Sequence, residues 1–491
     1  MNRVGPNSGV QLIFEKSVSG ACSVDLGPSD VPATNPKDVV PATMLAEQPP
    51  PLPEIAEQDL VRHYSRLGSR LFSVDANFYP LGSCTMKYNP RVNEWASTLP
   101  GFANLHPLQP VADMQGMLEL LYNLRVFLAE IAGLDDVSLQ PAAGAHGEMT
   151  GLMVINAYHA DRGGPRPNVL TADTSHGTNP ASCSICGRTP VPVKSRPDGL
   201  LDLADLREKV DDQTAALMIT HPNTVGKFDD QIAEIADLLH KRGALLYMDG
   251  ANLNAMLGIT RPGDFGVDVM HFNTHKTFST PHGCGGPGSG PIAVRKDLSP
   301  YLPIPQVEKA KNGTYYFNAD KPKTIGKVRT FFGQTGVLVR CYAYIRALGP
   351  DGLRDVSEKA VLAANYMAVC FRKAAGYDLP YAEPYSHEFI LKPKLANELR
   401  VLDYAKRLID FGIHPPTMEW PIHGTLMIEP TETESMATLD EFVAALNQIA
   451  QEAAESPDVL KSAPQAAWID RADEVAASRK PNLRWRPESN E

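Results

Sequence analysis

Short apolar runs alternate with segments of helical periodicity between about residues 110 and 300, and this alternation constrains the fold more than any other feature. Three of the runs begin at Asn168, Ala215 and Ala244, and a helix-like stretch at residues 229–242 separates the last two. This pattern predicts an α/β fold in which helices cover both faces of parallel strands.

The predicted strands end in polar residues, namely Asp173, Thr220 and Asp249. Ligands of open α/β sheets bind beyond the carboxyl ends of the strands. We therefore expect one shared crevice at these ends.

The chain divides by composition into an arm, a large domain and a smaller domain. Residues 1–90 are predicted to form a Pro-rich extended arm, a helix at 54–71 and a polar loop at 79–90. We place the large domain at residues 91–335 and the small domain at 336–491. The small domain is predicted to begin with helices at 336–348 and 356–374; strands at 388–391 and 425–429 then flank a helix at 402–411.

Composition excludes several classes of protein. With 43% hydrophobic and 21% charged residues, the 491-residue chain is not disordered overall. Its net charge of −11 and the lack of a Lys or Arg run argue against nucleic-acid or anionic-membrane surfaces. No run approaches the ~20 apolar residues of a membrane helix and the N-terminus lacks a long apolar run, so a cytoplasmic location is expected. The seven scattered cysteines predict free thiols and no metal site.

The segment HFNTHKTFSTPHGCGGPGSGP (271–291) carries the strongest chemical signal. Lys276 lies among polar, uncharged neighbours and is followed by a Gly-rich loop that lets backbone approach a bulky ligand. An amine in such surroundings is suited to form an imine with a carbonyl cofactor. A Gly-rich loop by itself is weak evidence, and a structural lysine is the alternative.

The segment YMDGANLNA (247–255) places Asp249 at the end of a strand. Pyridoxal 5′-phosphate acts as an electron sink only while its pyridine nitrogen is protonated, and a carboxylate held against that nitrogen keeps it so. Asp249 suits this role, and Ala251 suits a backbone that passes under a flat ring. A helix N-cap is the alternative role for Asp249.

A run of small residues turns into a helix in QPAAGAHGEMTGL (140–152). Free backbone N–H groups at a helix N-terminus bind anions, so Gly144 and Ala145 are predicted to hold the cofactor phosphate. His146 is then predicted to lie on the face of the ring, although a lone His is more often structural.

Further candidates come from the loop DTSHGTNPAS (173–182), in which His176 and Asn179 suit either a catalytic role or turn formation. Thr220, at its strand end, and His275, beside Lys276, are predicted to line the cofactor site.

The segments at 173–182, 247–255 and 271–291, together with YPLGSCTMKYNP (79–90) and GTLMIEPTETES (424–435), resemble the glycine dehydrogenase (decarboxylating) family, the P-proteins of the glycine cleavage system. The likeness covers roughly residues 60–450, and its five motifs keep the same order. The chain is similar to the pyridoxal-phosphate-bearing half of the two-subunit form. It departs from the family loop at Cys284, where Gly is usual.

The resemblance implies the aspartate-aminotransferase-like fold, PLP fold type I, with a large mixed-sheet cofactor domain and a smaller α+β C-terminal domain. It implies decarboxylation of glycine by pyridoxal 5′-phosphate on Lys276 and transfer of the aminomethyl group to a lipoylated H-protein. The implied partner is subunit 1, with two copies of each subunit. An aminotransferase, a cysteine desulfurase or a non-catalytic scaffold half is the alternative.

Overall fold

The computed structural model describes residues 11–25, 27–48, 50–283 and 288–483. The chain forms two compact units, the first from the described parts of residues 1–73 and 463–491, the second from residues 74–462. Across the described ranges, no helix combines the length and the apolar character that crossing a membrane requires. Cys22, Cys183, Cys186, Cys341 and Cys370 are free thiols.

The described strands, in chain order, are β1 (Asp136–Ser138), β2 (Asn168–Ala172), β3 (Thr189–Val193), β4 (Thr214–Thr220), β5 (Leu245–Gly250), β6 (Val269–Phe272), β7 (Ile292–Val294), β8 (Gln306–Lys309), β9 (Tyr315–Asn318), β10 (Tyr377–Asp378), β11 (Phe389–Pro393), β12 (Thr417–Met418) and β13 (Leu426–Ile428). The described α-helices are α1 (Pro36–Val39), α2 (Glu57–Gly68), α3 (Arg91–Thr98), α4 (Pro100–Ala103), α5 (Gln115–Ala132), α6 (Gly144–Ala160), α7 (Thr178–Ile185), α8 (Leu203–Lys209), α9 (Ile232–Lys241), α10 (Thr274–Thr277), α11 (Thr335–Arg372), α12 (Val401–Asp410), α13 (Met436–Glu455), α14 (Pro457–Lys461) and α15 (Glu474–Arg479).

The first unit contains α1, α2 and α15. Helix α2 confirms the helix predicted at 54–71. The preceding arm is tied down locally, because the Val18 amide donates to the Glu54 carbonyl at 2.8 Å and the Ser23 hydroxyl donates to the Ile55 carbonyl at 2.6 Å. The Arg70 guanidinium lies 4.1 Å from the ring centre of Trp468.

The second unit is built on a seven-stranded mixed sheet with the order β1-β7-β6-β5-β4-β2-β3. Strands β3, β2, β4, β5 and β6 run parallel, whereas β7 is antiparallel to both β6 and β1. Side chains alternate between two cores: Leu217 and Leu246 pack in one, and Met218 and Tyr247 pack in the other. Both faces are therefore covered, which confirms the predicted α/β pattern.

A second, antiparallel sheet of order β10-β11-β13-β12 packs with α12, α13 and the end of α11 around its own core. Helix α11 is interrupted at Gly349, where φ is 62° and Pro350 follows, so two helices meet there as predicted. Because α11 contributes Leu338 to the first core and Phe371 to the second, the boundary at 335/336 stays a prediction.

Candidate active site

Three neighbouring parallel strands bring polar side chains to one edge of the large sheet. In the strand register Thr220 of β4 pairs with Asp249 of β5, and Asp249 pairs with His271 of β6. All three are at most 6% exposed. The predicted strand ends therefore meet at Asp249, whereas Asp173 accepts a hydrogen bond from the Ser195 amide at 3.0 Å.

Asp249 is held by several donors. Its Oδ2 accepts from Asn179 Nδ2 at 3.1 Å, its Oδ1 accepts from the Ala251 amide at 3.0 Å, and His271 Nε2 lies 3.2 Å from Oδ1. Burial alone would raise the pKa of Asp249, but His271 and the charge of Lys276 lower it below its ordinary value. The carboxylate is therefore kept ionised in a buried position.

Glu148 of α6 is a second buried acid behind Asp249. Its two oxygens accept from the hydroxyls of Thr178 at 2.7 Å and Ser182 at 3.0 Å. Burial and the charge of Asp249 raise the pKa of Glu148 to about 7. Glu148 is thus protonated up to about neutral pH, and the negative charge of the two acids lies on Asp249.

Lys276 lies in the short helix α10, directly after β6, and is 8% exposed. Among the described residues, its amine has no hydrogen bond and no ion pair, which is unusual for a buried lysine. The ring of His275 meets that of His282 edge to face at 4.8 Å. Burial and the charge of Lys276 lower the pKa of His275 to about 3, so this ring is neutral.

The N-terminus of α6 approaches the same segment. A Cβ on Gly144 would lie 2.2 Å from Asn273 Oδ1, so a larger residue would require the Asn273 side chain to move. Within the described residues, the amides of Gly144, Ala145 and His146 have no acceptor, as the first turn of a helix requires. His146 is half-buried and its Nδ1 accepts from the Ala142 amide at 3.1 Å.

His176 takes a more open position. Its Nδ1 lies 2.8 Å from Thr178 Oγ1, and its ring meets Trp420 edge to face at 6.1 Å. Protein atoms around the ring and the charge of Lys276 lower the pKa of His176, although the residue keeps a large solvent-accessible fraction. The contact with Thr178 is the turn that the sequence predicts, and the catalytic role of His176 stays a prediction.

These features fit the predicted cofactor. The buried, ionised carboxylate of Asp249 matches a protonated pyridine nitrogen. The amine of Lys276, which has no partner among the described residues, matches the aldehyde carbon. The N–H groups in the first turn of α6, which have no acceptor there, match the phosphate.

Comparison with protein families gives a match over most of the chain. Residues 26–313 match the family described as glycine cleavage system P-protein, and residues 356–466 match the glycine dehydrogenase C-terminal domain. The chain belongs to the glycine cleavage system P-protein family.

Curated members of this P-protein family align over nearly their full length. A probable glycine dehydrogenase (decarboxylating) subunit 2 of Bacillus licheniformis is 52% identical over 98% of this chain and 99% of its own. One of Chlorobium chlorochromatii is 52% identical over 95% and 98%, respectively.

Solved structures show the same fold. An inhibitor-bound glycine decarboxylase (P-protein) superposes with a TM-score of 0.70 at 22% identity, over 85% of this chain and 95% of that chain. The cysteine desulfurase CsdA of Escherichia coli gives 0.59 at 17% identity, over 79% and 98%. The predicted family and fold class are confirmed.

The structure also adds residues that sequence reasoning missed. His271 and Glu148 flank Asp249. His271 lies in the same sequence motif as Lys276, and Glu148 in the same motif as Gly144, and this closeness in sequence is the signal that could have identified them. A further set, His387, Glu388 and Glu429, also lies within the electrostatic reach of Lys276. Cys284 and its neighbours up to residue 287 lie outside the described residues.

Proposed function

We propose that this chain decarboxylates glycine and transfers the remaining aminomethyl group to the lipoyl cofactor of an H-protein, with release of CO2. Glycine decarboxylation with pyridoxal 5′-phosphate follows from the family, which bears out the predicted reaction and cofactor. The transfer to lipoyl is the finer step that we add. The observation that carries the proposal is the unpaired amine of Lys276 within the field of the ionised, buried Asp249.

Each proposed role follows from a contact of the side chain. Bound here, pyridoxal 5′-phosphate would supply an electron sink while the bond between the glycine α-carbon and its carboxylate breaks. Lys276 would hold the cofactor covalently through its amine. Asp249 holds the proton on the pyridine nitrogen, with Thr220 and Ala251 positioning its oxygens.

The remaining site residues hold the cofactor in place. Gly144 and Ala145 present their amides to the phosphate, and His146 covers one face of the ring. His275 lies next to Lys276 and lines the site. Its ring is neutral, so it adds no positive charge that would attract the phosphate away from the amides of α6. His176 borders the side on which the substrate enters and acts as a catalytic proton carrier there.

The proposed partners are subunit 1, in an assembly with two of each subunit, and lipoylated H-protein. The name subunit 2 borne by relatives that this chain matches end to end supports the first partner. The cytoplasm remains the predicted location. An aminotransferase or desulfurase is not favoured, since the likeness to the desulfurase is one of fold alone.

Borohydride trapping tests the site. The chain is loaded with pyridoxal 5′-phosphate, reduced and digested, and the labelled peptide is mapped. Label on Lys276, but not on the exposed Lys296, is expected. The transfer is tested by glycine–bicarbonate exchange with H-protein, with and without subunit 1. Exchange that requires both partners supports the proposal, and label elsewhere contradicts the role of Lys276.

A further inference from the structure

Two fully buried carboxylates lie side by side at one end of the smaller sheet. Glu388 directly precedes β11 and Glu429 directly follows β13, and the antiparallel register pairs their neighbours Phe389 and Ile428. Both acids and the adjoining His387 have no solvent exposure. Strand pairing therefore holds the two acids opposite each other, away from water.

The hydrogen bonds to the pair come from neutral donors. Glu429 accepts from the Thr85 hydroxyl at 2.6 Å and the Thr85 amide at 2.9 Å, and Glu388 accepts from the Ser83 amide at 2.7 Å. Among the described residues, no Lys or Arg lies within ion-pair distance of either carboxylate. Two charged carboxylates would thus lie together away from water with no Lys or Arg of the described residues beside them, which is unfavourable.

His387 does not neutralise the pair. Its Nε2 lies 3.6 Å from Glu388 Oε1 and 3.8 Å from Glu429 Oε1, and neither ring nitrogen has a hydrogen-bond partner in the part of the chain that the structure describes. Burial and the charge of Lys276 lower the pKa of His387 to about 3. A neutral, fully buried ring is therefore aimed at the two acids, and the proton that they need must be on a carboxyl group.

The same conclusion follows from the acids. Burial raises the pKa of Glu429 to about 7, and burial and the charge of Glu429 raise that of Glu388 well above its ordinary value. The titratable groups that face the pair are His387, Lys276 and Glu432, and Lys276 lowers both pKa values. The charge of Lys276 therefore acts on both acids of the pair.

We propose that Glu388 and Glu429 hold one proton between them and act as the proton acceptor and donor for the exchange of amines at Lys276. The proposal rests on the proposed role of Lys276 as the residue that carries the cofactor. Glycine arrives as an ammonium ion and must lose a proton before its nitrogen lone pair can form a bond to carbon. Lys276 leaves as a neutral amine when its own bond to that carbon breaks, and takes up a proton.

The pair of Glu388 and Glu429 can accept the proton of the first step and donate the proton of the second. A carboxylate oxygen accepts the proton of the glycine ammonium group, and the pair then gives one proton to the Lys276 amine. Each nitrogen gains or loses one proton, the pair returns to its starting state, and no oxidant or reductant is consumed. Amides and hydroxyls alone could not do this, because these groups do not change their ionisation state near neutral pH.

The double variant E388Q/E429Q tests the proposal, because it keeps the shape of both side chains and removes both acids. The first measurement is the infrared spectrum of the cofactor-free full chain in heavy water, below pH 7. The spectrum of the wild type minus that of the double variant should show the carbonyl band of a protonated carboxyl group, and this band should disappear as pH rises. E148Q is the matched control, since it removes a different buried acid and should leave this difference band in place.

The second measurement is the rate at which glycine changes the absorbance of the cofactor-loaded chain. The double variant should be slower by roughly a hundredfold or more, the range of general acid–base catalysis. If it fails to fold, each single Gln variant should still shift the ionisation of the remaining acid to lower pH.

Two results would overturn the proposal: no protonated carboxyl band in the spectrum of the wild type minus that of the double variant, or an unchanged rate in a folded double variant. Failure of the proposed function gives a different result, because borohydride would then leave Lys276 of the wild type unlabelled.

Discussion

Asp249 Oδ1 lies 3.2 Å from His271 Nε2, and the two residues are direct neighbours in the register of β5 and β6. Tyr247 fixes the other side of the imidazole, since its hydroxyl lies 2.8 Å from His271 Nδ1. The carboxylate that we assign to the pyridine nitrogen is thus positioned by a ring on the adjacent strand.

We expect His271→Ala to raise the pKa of Asp249, because burial remains while a group that lowers the pKa is lost. Asp249 should then hold more of the proton that it shares with the pyridine nitrogen, and the absorbance of the loaded chain measured against pH reports this change. Tyr247→Phe is the control, since it keeps the contact between His271 and Asp249. Identical titrations of His271→Ala and wild type would contradict the coupling.

Asp249→Ala should retain some bound cofactor but lose most of the decarboxylation rate. Removing one partner of a buried ion pair costs about 3–5 kcal/mol, which corresponds to roughly a hundredfold or more in rate. Asp237→Ala is the control, because it removes an exposed carboxylate on α9. Release of labelled CO2 from glycine measures both variants, and near-normal release by Asp249→Ala would remove its proposed role.

Lys276→Ala should abolish decarboxylation while the chain still folds, since the amine has no partner whose loss would leave a buried group unsatisfied. Lys296→Ala, at an exposed position, serves as the control. Circular dichroism follows the fold and CO2 release follows the reaction. Ordinary turnover by Lys276→Ala would show that another residue carries the cofactor.

His146→Ala should weaken cofactor binding by ~1 kcal/mol if the ring stacks as aromatic pairs do, about a fivefold change in Kd. Fluorescence titration of the cofactor-free chain measures the affinity. His423→Ala is the control, because its side chain is 96% exposed. An unchanged Kd for His146→Ala would return this residue to a structural role.

Glu429→Gln should stabilise the fold above neutral pH. The pKa of Glu429 is raised from 4.5 to about 7 in the folded chain, so between these values the folded state binds more protons than the unfolded state. The free energy of unfolding therefore falls as pH rises through this window, by on the order of 2–3 kcal/mol, and the variant lacks this fall.

Gln is tolerated at position 429 because the Thr85 hydroxyl can turn from donor to acceptor. Urea unfolding at pH 5 and pH 8 measures the slope. Equal pH dependence in variant and wild type would contradict the raised pKa.

The sequence by itself determined the secondary-structure elements and several of the residues that carry the chemistry. Hydrophobic periodicity is a local property, so the strands that end at Thr220 and Asp249 and the helix that begins at Gly144 were predictable within a few residues. Lys276 was recognisable because a lysine with polar, uncharged and Gly neighbours is rare outside a site.

The tertiary structure alone decided which groups surround these residues. Glu388 and Glu429 are far apart in sequence, and each looks like an ordinary acid at a strand end. The register of β11 and β13 sets them side by side, and burial then turns two ordinary carboxylates into a proton-holding pair. Glu148 likewise becomes an unusual acid only because its helix packs against the strand that carries Asp249. Desolvation and the distance between charges depend on packing, and no local pattern of residues encodes either quantity.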